Sequence, residues 1–307
     1  MPAHYKMETT NKDCLHLIFS HLNALDLLSV AQTNSDWREV ALFRLSLVQQ
    51  LECDGIRKAF SNRRSDFRQK DFEEIIRYCG TGLQIIDLRS VSCRNVFHDF
   101  ERLISIINRY CTQIKELYIP QRSRLPNHIA FPPTLTRVEL LGHVTEEALQ
   151  SLARGCPNLD SISLNINMFT TGEFFPKFLS RNQIKNVRLY RCCNITSDII
   201  HFILKNYANS LESFSVSGFP TSEILHFDKS DLSVLHQLRS LEISSWFDRN
   251  NFRFQCVSRL LELAPNLENL TVQHCSDLHA TPESLTDLTR ACQGLSIEIY
   301  SSVRGHP

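Results

Sequence analysis

Apolar positions along this chain fall into one dominant pattern, apolar-x-x-apolar-x-apolar, which recurs eight times. The copies are LQIIDL from Leu83, IKELYI from Ile114, LTRVEL from Leu135, LDSISL from Leu159, IKNVRL from Ile184, LESFSV from Leu211, LRSLEI from Leu238 and LENLTV from Leu267. In each copy the last two apolar residues alternate with polar ones, as in a strand buried on one face, and the first sits where the chain enters that strand. Between the copies run stretches with helical spacing: DFEEIIRYC, with its stripe of Phe72, Ile75, Ile76 and Cys79, then DFERLISIINRYC, TEEALQSLARGC, TSDIIHFILKNYA and FQCVSRLLELAP. After the second copy the proline-rich PQRSRLPNHIAFPP takes the place of a helix, and GLSIEIY at Gly294–Tyr300 closes the series imperfectly.

The starts of the copies are 21 to 31 residues apart, with a mean of about 26, a period within the leucine-rich-repeat range. A single strand and helix of that length bury too little apolar surface to stand alone, so neighbours must stack. The expected fold is therefore an α/β leucine-rich-repeat solenoid. Its parallel sheet lines the concave face of a horseshoe, with helices outside because they are wider than strands. The array occupies residues 71–300 in about eight to nine repeats, and 301–307 form a C-terminal tail.

The N-terminal pattern is different. In DCLHLIFSHLNALDLLSVAQTNSDWREVA (Asp13–Ala41), Leu15, Ile18, Phe19 and Leu22 make one stripe of a first short helix,. Asn23 is placed to cap a second helix carrying Leu25, Leu27, Leu28, Val30 and Ala31, and Asp36 stands before Glu39 at capping-box spacing near a third with Trp37 and Val40,. Residues 10–50 thus read as a small all-α module with more apolar surface than it can bury alone. A linker and capping segment follows at 51–70. SLVQQLEC at Ser46–Cys53 has the pattern of a capping strand, and the basic run RKAFSNRRSDFRQK is a solvated linker,.

Charge adds little. With 33 Lys+Arg against 33 Asp+Glu, the chain generates no global field for a phosphate backbone or an anionic membrane, so neither nucleic acid nor membrane is an expected partner. The opening MPAHYKMETTNKD lacks the apolar core of a signal peptide, and no apolar run reaches the length of a spanning helix, which points to cytoplasm or nucleus. The 11 cysteines are scattered without paired C-x-x-C spacing, so they are expected to be reduced, small buried hydrophobes, with no metal and no cofactor,. No glycine-rich phosphate loop is present. Cys192, Asp198 and His201 are accounted for by a repeat turn and its helix, which leaves no catalytic set.

Two resemblances sharpen this reading. CPNL at Cys156–Leu159, APNL at Ala264–Leu267, YCTQI, YCGTGL and above all LYRCCNITSDII from Leu189 resemble the cysteine-containing class of leucine-rich repeats, with Thr196 and Asp198 opening the helix,. LHLIFSHLNALDLLSVAQTNSDW resembles an F-box, matching at Leu15, Ile18, Phe19, Leu22, Asp26, Leu27 and Trp37; where the family begins with leucine-proline, this chain has Thr10-Asn11. The combination resembles the F-box and leucine-rich-repeat family, substrate receptors of Skp-cullin-F-box ubiquitin ligases. That resemblance implies docking on a Skp-family adaptor, and through it a cullin-RING ligase, by way of Leu15, Ile18, Phe19, Leu22, Leu25, Asp26, Leu27 and Trp37. It implies a non-catalytic subunit that brings a target lysine close to an activated thioester held by another subunit. The alternative is an interaction scaffold that keeps the repeats without useful adaptor binding.

Strand alternation supplies the target surface. The residues flanking the last two apolar positions of each copy face away from the helices, and Arg and Tyr dominate interface energies. Tyr118, Arg137, Glu139, Arg188 and Tyr190 are the expected concave-face contacts for a protein target, with Trp246 and Phe247 in SSWFDRN as an aromatic pair at the rim.

Overall fold

The computed structural model describes residues 11–52, 69–89, 99–121, 123, 125–166, 183–192, 197–218, 233–244, 261–273 and 296–300. The chain divides into two compact units, 1–120 and 121–307.

The first unit opens with α1 (Lys12–Phe19), α2 (Ala24–Ala31) and α3 (Ser35–Ser46). Each begins on an asparagine. The side chain of Asn11 accepts from the Asp13 N–H, that of Asn23 from Leu25 and Asp26, and that of Asn34 from Asp36, which satisfies backbone donors that no helical carbonyl can reach,. The expected cap at Asn23 is found. The capping box expected of Asp36 and Glu39 is not: Asn34 takes the cap, Asp36 lies in the first turn, and Glu39 instead reaches across to Lys12 Nζ at 2.7 Å. The helices share a core of Leu15, Phe19, Leu27, Ala31, Val40, Ala41 and Leu45, with Trp37 packed edge-on against Phe19 at a centroid distance of 6.1 Å,.

The strand β1 (Gln50–Glu52) then starts a parallel ladder, as the capping-strand pattern predicts. It continues through α4 (Gln69–Cys79), β2 (Ile85–Asp87), α5 (Phe100–Tyr110) and β3 (Glu116–Ile119). Leu51, Ile86 and Leu117 are in register across the three strands and all are buried. Behind them Phe72, Ile75 and Ile76 of α4 pack with Leu103, Ile104 and Ile107 of α5, every one of them with no exposed surface. A fully buried side chain of this kind stabilises by roughly 1.5–3 kcal/mol. The buried Glu73 carboxylate is held by Arg102 at 2.7 Å and by Gln69, so its charge is paired,.

The second unit repeats the plan: β4 (Arg137–Leu140), α6 (Glu146–Gly155), β5 (Ser161–Asn165), β6 (Asn186–Tyr190), α7 (Ser197–Asn206), β7 (Ser213–Ser217), β8 (Ser240–Ser244), β9 (Asn269–Gln273) and β10 (Ser296–Tyr300). Successive strands from β4 to β10 pair in parallel and in sequence order. Every strand predicted from the repeat is present, including the imperfect closing copy. Within PQRSRLPNHIAFPP the described residues form no helix; Leu125, Ile129, Phe131 and Pro132 are buried instead and take over the packing. The chain is thus α/β, with parallel strands alternating with helices in a repeating order.

Strand exits show the repeat at backbone level. Arg191, directly after β6, has φ 57°, and Gly218, directly after β7, has φ 73°. These equivalent positions turn left-handed one above the other, and a Cβ on Gly218 would lie 3.0 Å from Arg191 Cα,.

The cysteines at the helix ends are structural. Cys79, Cys111 and Cys156 are buried; the Cys79 thiol lies 3.0 Å from the Ile75 carbonyl and that of Cys156 lies 3.3 Å from the Pro132 carbonyl. Burial pushes all three up to about 12 from an ordinary 9.0,. Unfolded thiols lose their protons near 9, whereas the folded ones hold theirs. These groups therefore leave stability untouched at neutral pH and erode it as pH rises from about 9 towards about 12,. Chemical unfolding between pH 8 and 11 is expected to show that decline, steeper than in a Cys79→Ala, Cys111→Ala, Cys156→Ala variant. Gly80 provides a second test: a Cβ there would meet the Ile76 and Tyr110 carbonyl oxygens at 2.5 and 2.8 Å, whereas at Gly155 the nearest atom is 3.6 Å away. Gly80→Ala is expected to lower the urea midpoint by the equivalent of about 1–3 kcal/mol, and Gly155→Ala to leave it unchanged or slightly raised.

Candidate functional site

Two surfaces carry most of the residues singled out by the sequence, one in each unit, and Tyr118 lies apart from both on β3 of the first unit. In the helical module, the eight residues of the F-box resemblance separate by burial. Leu15, Phe19, Leu25 and Leu27 are buried, Leu22, Asp26 and Trp37 are half-buried, and only Ile18 is exposed, at 55%. The buried leucines and Phe19 are committed inside the module, because three short helices have no other core to close on,.

Besides Ile18, the module leaves outside three large apolar residues that were not in the expected set. Leu17 on α1 is 67% exposed, and Phe43 on α3 and Leu47 at its C-cap are more than half exposed. Phe43 stands edge-on to His16 of α1 with ring centroids 5.2 Å apart, while Arg44 donates to the His16 carbonyl and ties the two helices together. A sequence signal for these residues exists. Leu17 lies off the stripe set by Leu15, Phe19 and Leu22, and the apolar residues of α3 are spread round the helix among Asp36, Arg38, Glu39 and Arg44 instead of gathering on one face,. Where α2, α3 and α4 meet, a cleft of about 310 Å³ is floored by Leu28, Ala31, Leu42 and Tyr78 and flanked by Arg38 and Glu74.

In the second unit the strand register aligns the polar face in rows. One row runs Glu139, Ser163, Arg188, Ser215, Glu242 and Thr271 over β4 to β9, with Glu298 of β10 next in register. Beside it Asn165 is in register with Tyr190. Val187 and Leu189 on the opposite face of β6 are buried, whereas Arg188 is exposed and Tyr190 half-buried, as period-2 alternation demands,. The serines of this face are less open than their polarity suggests: Ser161, Ser215 and Ser244 are buried, shaded by longer neighbours.

Arg188 dominates the row. Its Nη1 lies 3.4 Å from the Tyr190 hydroxyl, and among the described residues it has no carboxylate within salt-bridge distance. Partial burial works against its charge, but the Tyr190 hydroxyl and the carboxylates of Glu242 and Glu139 outweigh that, and its pKa is raised. The Glu242 carboxylate is oriented by Ser215 Oγ at 2.9 Å. Such a row offers a guanidinium in contact with Tyr190 and, two strands away, a carboxylate held by Ser215. The two side chains place charges of opposite sign on one face of the sheet.

The remaining expected contacts differ. Arg137 is exposed, in register with Ser161, and Glu139 is buried to 8% exposure. In the first unit Tyr118 is half-buried under the Arg89 guanidinium, 4.4 Å above its ring, and its hydroxyl donates to Glu116; Arg89 is in turn paired with Asp87,. Trp246 and Phe247 lie outside the described residues, as do the residues around Thr196. Asn165, which the sequence reading passed over, donates to the Leu141 carbonyl at 2.7 Å and stays buried beside Tyr190. Among the described residues no cluster of three His, Cys, Asp or Glu side chains is arranged to hold a metal ion, and no helix is long and apolar enough to cross a membrane.

The sequence matches no family model. Among solved structures, a protein from Bacteroides fragilis determined as a structural-genomics target is similar over 84% of this chain and 67% of its own, at 12% identity and a TM-score of 0.42.

Proposed function

We propose that this protein is the substrate-recognition subunit of a Skp-cullin-F-box ubiquitin ligase, docking on a Skp-family adaptor through an N-terminal F-box and presenting a protein target on a leucine-rich-repeat horseshoe. The observation that carries the reading is an apolar surface that three closely packed helices leave uncovered. Leu17, Ile18, Phe43 and Leu47 stay open although the same helices bury seven other apolar side chains between them. Exposed leucine and phenylalanine side chains on a small helical module mark a contact with a partner, since a monomer gains nothing by wetting them. The repeats that follow are an extended platform with alternating charged and small residues, suited to a polypeptide. The subunit then needs no catalytic residue of its own; it raises the effective concentration of the target's lysine at the ligase.

The second reading, an interaction scaffold without adaptor binding, draws on Thr10-Asn11 standing where the F-box pattern has leucine-proline. One experiment separates the two. Leu17→Asp with Ile18→Asp places charge on exposed positions and leaves the core intact, whereas Leu27→Ala opens a cavity at a side chain that is 2% exposed. Capture of a purified Skp-family adaptor is expected for the parent chain and lost at least tenfold in the double variant, with an unchanged melting temperature. Leu27→Ala is expected to lower stability by about 2–5 kcal/mol. Absence of adaptor capture by the parent chain would leave the scaffold.

A further inference from the structure

The polar row over β4 to β8 alternates charged and hydroxyl side chains, with one charge on every second strand: Glu139, Ser163, Arg188, Ser215, Glu242. Adjacent strands are about 4.8 Å apart, so Arg188 and Glu242 stand about 9.6 Å apart along the row. A polyproline II helix advances about 3.1 Å per residue with three residues per turn, so it presents residues i and i+3 on the same side at about 9.3 Å. An extended β-strand does not, because there i and i+3 point to opposite sides. The small side chains of Ser163 and Ser215 leave room over the intervening strands for the residues between.

We infer that this row binds a proline-rich segment of a partner protein in the polyproline II conformation, with an acidic residue at i received by Arg188 and a basic residue at i+3 received by Glu242. The inference rests on the reading of this sheet face as the target-binding surface, and it does not depend on adaptor docking. The acid meets a guanidinium with no carboxylate in salt-bridge distance among the described residues, in contact with the Tyr190 hydroxyl at 3.4 Å. The base meets a carboxylate already held in place by Ser215. Glu139, at 8% exposure, adds its field without reaching the ligand. Because the row holds both signs, it disfavours a phosphorylated segment: a phosphate at Arg188 would face Glu139 and Glu242, each two strands away.

The test uses the full chain and labelled peptides of about ten residues in a proline-rich frame, carrying Asp and Lys at i and i+3, at i and i+2, or at i and i+4. Fluorescence anisotropy is expected to show the i, i+3 peptide binding about threefold to tenfold tighter than either other spacing. Glu242→Arg is expected to reverse the preference towards an Asp-x-x-Asp peptide, and Arg188→Glu towards Lys-x-x-Lys, both proteins retaining the parent melting temperature and adaptor capture. Equal affinity for all spacings, tighter binding of a phosphoserine version, or no binding up to about 1 mM would overturn the inference. Loss of adaptor capture by the parent chain would instead remove the ligase reading and leave this one standing.

Discussion

Everything in this molecule depends on the fact that one strand and one helix cannot hide their own apolar surface. Val187 and Leu189 are buried only because Ile162 and Leu164 lie in register on one side and Phe214 and Val216 on the other. The backbone ladder and the side-chain stack enforce the same alignment, since a one-residue slip of a strand would turn every buried side chain outwards. Order is therefore passed from neighbour to neighbour, and the polar face inherits its rows from the buried face without any interaction of its own having to specify them.

That inheritance explains what was legible in the residues. Each strand was readable because its two alternating apolar positions recur at a narrow spacing, and even the degenerate SIEIY of the last copy kept the two isoleucines. The helix stripes were readable for the same reason, as in Phe72, Ile75, Ile76 and Cys79, all of which are buried. The helical cap of α3 was misread because Asn34 and Asp36 both have side chains able to accept from a free N–H. The choice between them depends on where the chain turns after α2, which local spacing does not encode,.

Surface residues were less legible. A stripe of apolar residues says which way a helix faces, but whether Ile18 sits inside that stripe or at its edge depends on the crossing of α1 with α3. Leu15 and Phe19 went inwards; Ile18 remained outside beside Leu17. On the sheet the alternation identified Arg188 and Tyr190 as the open face correctly, yet it gave no sign that Tyr118 would be covered by Arg89 or that Glu139 would be buried. Those outcomes depend on the length of side chains on adjacent strands, a property of register and not of any single repeat.

The charged row has a period of two repeats, while the fold has a period of one. Stability tolerates the gain or loss of a single repeat, because every interface resembles the next. The row does not. Removing the repeat that contributes Ser163 would bring Glu139 into register beside Arg188, and removing the one with Ser215 would do the same with Glu242. In either case the two charges would neutralise each other at neighbouring-strand distance. For a chain of this kind, loss of a pair of repeats keeps a charge on every second strand, but only a pair that spares Arg188 keeps both signs on the row, so the surface is less free to change its repeat number than the fold beneath it.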